Sequence, residues 1–312
     1  MAVRPPPKAE LTLRRALFAY GLLVFTMSIW ASAFAGIRFM LGEISPMSLT
    51  VLRMVIAACT LLVVGLVGRI GLPRREDLGR LIAAALFGFT IYHLLLNLGT
   101  AHIKAGQASF IIATIPIWTS LLAARYLREK ISARVIVGLA IGMAGVGFMS
   151  LSRGDANIGL GSLLVLLAAM CAAANMVLSK GLLERYRAID FAVYATIAGC
   201  LPLLVYAPWA WAEVRLMSPT AWLVGLYLGI IPIGLGYWLS NVALAILPAG
   251  RAAQMLLLVP PMSALIAWLF IDEVPSTRLI VGGPLIMLGV LLGNVRANGR
   301  KSVKPLIASA SE

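Results

Sequence analysis

This chain is poor in charge. Only 12% of its residues are Asp, Glu, Lys or Arg and 61% are hydrophobic, against roughly a quarter and a half in a soluble domain. Water cannot be its only solvent. There are two histidines, His93 and His102, and the 12 Asp and Glu all lie at the ends of apolar stretches, in loops or in tails. A membrane enzyme needs a paired acid and base, a nucleophile with a base, or a metal cluster, and none can be assembled from this set. Three cysteines, Cys59, Cys171 and Cys200, lie inside apolar stretches, so neither a disulfide framework nor a zinc site is expected. No Gly-x-x-x-x-Gly-Lys-Ser/Thr loop occurs and no loop could house an ATPase, which excludes primary active transport by this chain alone. No metal and no cofactor are expected.

Long apolar runs dominate what is present. They cover about Leu17 to Phe39, Pro46 to Gly68, Leu81 to Ala101, Ala105 to Ala124, Ala133 to Leu151, Leu160 to Ser179, Phe191 to Trp211, Ala221 to Ser240, Ala249 to Ile271 and Leu279 to Val295. Each is near the roughly 20 residues that a helix needs to cross ~30 Å of hydrocarbon. The expectation is an all-α integral membrane protein of ten transmembrane helices. Orientation follows from the basic residues. If the N-terminus is cytoplasmic, Arg38, Lys104, Arg153, Arg215 and Arg278 are the only cations in the odd connections, while the tails and even connections hold the rest of the 26 apart from Arg53. That bias predicts N-in, C-in. It also accounts for the net charge of +14 by scattered cytoplasmic loops rather than by a nucleic-acid-binding face. Arg14-Arg15, an apolar run and Ala31-Ser32-Ala33 imitate a cleavable secretory signal. We keep this segment as the first span, because Trp30 to Arg38 pairs with Ala172 to Lys180 later in the chain.

That pairing belongs to an internal repeat. At an offset of 144 residues Asn97 falls on Asn241, Ala105-Gly106 on Ala249-Gly250, Pro116 on Pro260, Glu129 on Glu273, Arg134 on Arg278 and Gly145-Val146 on Gly289-Val290. A period this long is no solenoid; it reads as a duplicated half. Five helices per half is an odd number, so the second copy enters from the opposite side, an inverted repeat of the kind from which transporters are built. The expected layout is a cytoplasmic tail (1–16), a first repeat (17–151), an outer connecting loop (152–159), a second repeat (160–295) and a second cytoplasmic tail (296–312).

Several segments carry a family likeness: Trp30-Ala31-Ser32-Ala33-Phe34-Ala35-Gly36-Ile37-Arg38, Leu52-Arg53-Met54-Val55-Ile56-Ala57, and the two Pro-containing helices that end in Leu127-Arg128-Glu129 and Ile271-Asp272-Glu273. Over about residues 16 to 296 the chain resembles the drug/metabolite transporter superfamily, EamA-type, and is most similar to the bacterial aromatic amino acid exporters. The resemblance implies efflux of amino acids and related metabolites across the bacterial inner membrane. It also implies a central cavity lined mainly by helices 1, 3, 4, 6, 8 and 9.

The residues point to the same helices. Pro116 in the fourth span and Pro260-Pro261 in the ninth interrupt matching helices, which in transporters marks a midplane site or gate. Polar and aromatic groups at membrane depth gather nearby: Trp30 and Ser32; Tyr92, His93 and Asn97; Phe110, Thr114 and Trp118 at helical spacing; Asn175; Tyr237, Trp238 and Asn241; and Gln254. Polar groups in hydrocarbon face a bundle interior or a wet cavity, although each alone could simply staple two helices. Rings with neutral hydrogen-bonding partners suit a small zwitterion or aromatic metabolite, whereas a phosphorylated cargo would need cations at mid-depth. Arg53 either meets a substrate carboxylate or is a structural cation that snorkels outward or binds carbonyls. With no intramembrane carboxylate, facilitated diffusion or exchange by alternating access is favoured over proton antiport, which would fall to His93. Export of purines, drugs or other hydrophobic metabolites stays open, as does a channel or sensor. Gly138-Gly142 and Gly289-Gly293 allow close helix packing. The expected partners are a small-molecule substrate and the lipid bilayer, no nucleic acid, and a monomer with a dimer as the alternative.

Overall fold

A computed structural model describes residues 13–127, 133–150, 156–247, 252 and 255–294. Among them every regular element is helical. In chain order these are α1 (Leu13–Met40), α2 (Pro46–Val67), α3 (Arg75–His102), α4 (in two pieces, Ala105–Ile112 and Ile115–Leu127), α5 (Ala133–Ser150), α6 (Ala156–Leu182), α7 (Ala188–Val214), α8 (Pro219–Ile246), α9 (Met255–Ile271) and α10 (Thr277–Asn294). Seven (α1 to α4 and α6 to α8) are long and apolar enough to cross a bilayer. The others offer shorter apolar segments at Ile136–Met149, Met255–Ile271 and Thr277–Leu292. The chain is a multi-pass membrane protein. Large apolar side chains such as Leu66, Val205, Leu216 and Phe270 lie more than two-thirds exposed on its surface, which only a lipid solvent makes inexpensive. The tails, Glu129, Lys130, Arg153, Asp155 and Gln254 fall outside the described residues.

Two helix starts show how local chemistry fixes the bundle. Ser45 caps α2 by accepting from the Ser48 amide, with Pro46 at the first helical position, where its missing N–H costs nothing. Ser218 and Pro219 do the same for α8. Each cap is held by the carboxylate of another element. Glu213 at the end of α7 accepts from the Ser45 amide at 2.7 Å and its hydroxyl at 2.9 Å. Glu43, just after α1, accepts from the Ser218 hydroxyl at 3.0 Å. At the opposite end, Asp77 at the start of α3 accepts from Arg185 and Tyr186, both at 2.8 Å, in the connection after α6.

Glycines let helices meet backbone to backbone, an arrangement that suits membranes, where small residues replace a hydrophobic drive between helices. A Cβ placed on Gly289 of α10 would lie 2.5 Å from Gly138 O and Gly142 N of α5, and one on Gly145 would lie 2.8 Å from Gly282 O. A further such contact joins Gly99 of α3 to Gly161 of α6. The small-residue spacing in the fifth and tenth spans therefore serves internal packing of α5 on α10.

Candidate substrate cavity

The functional geometry begins with two irregular turns. Within α3 the residues Leu86–Ile91 form a π-helical segment, and within α8 Gly229–Leu235 form another. At the repeat offset of 144 the first falls on 230–235, so the same defect recurs in both halves. A π turn inserts an extra residue and re-aims the side chains that follow it. Those side chains are Tyr92 and His93 in α3 and Tyr237 in α8. Pro232 inside the second segment offers no N–H to the helix, and its own carbonyl accepts from the Trp30 indole at 3.0 Å. Gly88 occupies the matching position of α3, where an added Cβ would collide with Asn175 of α6, whose amide donates to Ala84 O at 2.8 Å.

These elements enclose a cavity of about 100 Å³. Its wall takes Trp30, Ala33, Phe34 and Ile37 from α1, Tyr92, His93 and Leu96 from α3, Asn175 and Met176 from α6, and Pro232 and Tyr237 from α8, with Ile112, Leu256 and Val259 from α4 and α9. One cation joins them, Arg53 of α2. The rings form a connected set: Trp30 to Tyr237 at 5.5 Å between centroids, Phe89 to Tyr237 at 4.7 Å and Tyr92 edge-on to His93 at 4.8 Å. Both His93 ring nitrogens are buried without a hydrogen-bond partner.

Arg53 lies elsewhere than at a lipid interface. It is 2% exposed, so it does not snorkel, and its Nη1 donates at 3.0 Å not to a backbone carbonyl but to the side-chain oxygen of Asn97. The Asn97 amide in turn donates to Thr50 at 2.8 Å, which fixes the flip of that amide. Asn97 thus stands behind Arg53 rather than in the cavity wall.

Of the other expected site residues, Trp30, Tyr92, His93, Asn175 and Tyr237 line the cavity, while the rest are held elsewhere. Ser32 bonds Tyr227 and Ile29 O. Phe110 packs under Gly283 of α10; Thr114 donates to Ile111 O and accepts from the Trp118 indole. Trp238, one residue past Tyr237, is 38% exposed on the outer surface of the bundle. Asn241 is buried away from the cavity wall. Pro116 follows the break between the two pieces of α4, and Pro260-Pro261 open the α-helical part of α9 after a 3-10 turn at Met255–Leu258. Gly88, Met176 and Pro232 were missed. The 144-residue offset that pairs Gly88 with Pro232 was the available signal.

Beyond the cavity, one end of the bundle is tied together by hydrogen bonds. Glu273, after α9, accepts from Arg38 Nε of α1 and from the Ala105 amide that starts α4, both at 2.9 Å. Arg38 also reaches the carbonyls of Thr100 and Ala101 in α3.

A helical membrane bundle with a cavity beside two matched helix defects is an arrangement that transporters use. The sequence places it further: the EamA-like transporter family profile matches residues 17–151 and again 159–295, and the chain belongs to that family, within the drug/metabolite transporter superfamily. It is 33% identical over 296 residues to a protein of Streptantibioticus cattleyicolor named "probable terminal-alkyne amino-acid exporter", covering 93% of this chain and 96% of that one. It is 29% identical to the transporter YdfC of Bacillus subtilis, over 87% and 89%. Identity to a protein of Escherichia coli named "probable amino-acid metabolite efflux pump" is 24%, over 91% and 97%. A solved crystal structure aligns with a TM-score of 0.59 at 17% identity, over 90% of this chain and 96% of that one, which shows a shared fold.

Proposed function

We propose that this chain exports neutral and aromatic amino acids and related small metabolites across the bacterial inner membrane by alternating access, driven by the gradient of the substrate or by exchange. The observation that carries the reading is the cavity itself, where aromatic faces from α1, α3 and α8 surround one guanidinium and no carboxylate is present among the described lining residues. Ring faces hold an apolar body and the few polar groups orient it. Relatives named for amino-acid export support the same cargo. The layout we propose has ten spans in two inverted halves, 17–151 and 160–295, joined by an outer connection at 152–159 whose last residues, from Ala156, already belong to α6, with both termini cytoplasmic and a monomer as the working unit. The recurrence of the π segments at the repeat offset supports it.

The test is counterflow in proteoliposomes. Vesicles loaded with unlabelled phenylalanine should take up external labelled phenylalanine transiently and saturably. A linear, unsaturable flux would make the chain a channel, and no flux with any amino acid of a broad panel would reject the cargo.

A further inference from the structure

Among the described residues Arg53 is a buried charge with no acidic partner. Burying a guanidinium is costly unless it is paired, and an arginine does not shed its proton to escape that cost. Here it is 2% exposed in the bundle, and no Asp or Glu lies within ion-pair distance among the described residues. Of its five donors, one meets a protein oxygen, at Asn97; Nε is buried and unpartnered. The Thr50-Asn97 pair holds the side chain by one edge while the residue lines the cavity. A structural arginine is bonded all round. A fork held on one side, with donors left over and a cavity in front of it, is arranged for a planar anion.

The rest of the wall is as informative. Neither Asp nor Glu lines the cavity among the described residues, so an ammonium group would find no counter-charge there, only ring faces and neutral acceptors such as the tyrosine hydroxyls, the Asn175 oxygen or an imidazole nitrogen. Recognition of an amino acid would then be one-sided. Resting on the transport reading above, we propose that Arg53 is the carboxylate subsite of this cavity and that the ammonium is not read, so that its substrates are carboxylates with an aromatic or apolar body, amino or not.

Binding is measured separately from transport, by the ligand-induced rise in melting temperature of the purified full-length protein. Phenylalanine and 3-phenylpropionate should bind with affinities within about threefold of each other. Phenylalaninamide and phenethylamine, which keep the ring and the amine but lack the carboxylate, should bind about 10- to 100-fold more weakly, the range that loss of a charge-assisted hydrogen bond covers. In Arg53→Gln the preference for phenylalanine over its amide should vanish, and Arg53→Lys should retain part of it. Equal binding of all four compounds to the unaltered protein would overturn the proposal whatever the variants do, as would a demand for the amine in which 3-phenylpropionate fails. Should carboxylates bind as expected while counterflow is absent, the subsite stands and the transport reading falls.

Discussion

Glu273→Gln should loosen one end of the bundle, and by an amount that the contacts set. The Glu273 side chain is 14% exposed and takes two hydrogen bonds of 2.9 Å, from Arg38 Nε and the Ala105 amide. Bonds to a charged group contribute about 1.5 to 3 kcal/mol each and neutral ones about 1. Gln presents one carbonyl oxygen and a donor, so it can keep one bond in neutral form and leaves the other partner unmet. Because Arg38 is 37% exposed, water recovers much of its share. The net loss comes to about 1.5 to 3 kcal/mol, or a 10- to 100-fold shift toward the untied state. These contacts join α1, α3, α4 and α9, all of which line the cavity, so loosening them should favour opening at that end. The readout is the rate at which an impermeant thiol reagent modifies Ile37→Cys, a buried wall residue, with Cys59, Cys171 and Cys200 replaced. It should rise at least about tenfold with Glu273→Gln, and Arg38→Gln should add little once Glu273 is gone. An unchanged rate would mean that the tie does not gate this end.

Three further outcomes are expected. Tyr237→Ala should weaken transport of phenylalanine about 2- to 10-fold more than that of threonine, because stacking is worth ~0.5 to 1.5 kcal/mol beyond area; Trp118→Ala, away from the wall, should not discriminate, and equal losses in both would make the rings mere packing. His93→Gln should keep substantial counterflow, and an imposed pH gradient should drive little accumulation, since a neutral amide can replace a neutral imidazole; strong pH-driven uptake that disappears in the variant would make the protein an antiporter through His93. Cysteines near Arg74 should react with impermeant reagents only from the cytoplasm and those near Asp155 only from outside, and the reverse at either place would break the inverted topology.

Periodicity and length made the helices legible, because a 20-residue apolar run has few other uses. Their edges were less so. α3 begins at Arg75 rather than near Leu81, since a 3-10 turn over Arg75–Asp77 leads into it. The Phe110-Thr114-Trp118 stripe assumed one continuous helix, and the break after Ile112 ends that register. Tyr237 and Trp238 looked alike in sequence, but adjacent helical residues point about 100° apart, and Trp238 turned to the surface. In sequence Arg53 is open between a substrate carboxylate and a structural role, in which it would snorkel outward or bind carbonyls. What sequence lacks is the rotation of α2, which aims that side chain at Asn97 instead. The π segments left no trace in a pattern read with a period of 3.6, yet they aim Tyr92, His93 and Tyr237.

The proposed subsite carries a consequence for the transport cycle, since neither Asp nor Glu lines the cavity among the described residues. The unliganded cavity holds a guanidinium with no counter-ion among the described residues, a state whose cost grows when a site closes and its dielectric falls. Under the proposed subsite, a bound carboxylate supplies the missing partner, so closure is favoured loaded and opposed empty. Exchange follows from that asymmetry alone, because the ligand shifts the equilibrium by its differential affinity for the closed state. Asn97 has a definite part in this. It holds one edge of the guanidinium at 3.0 Å and so keeps the fork oriented between cycles, which limits the ordering entropy that each binding event must offset.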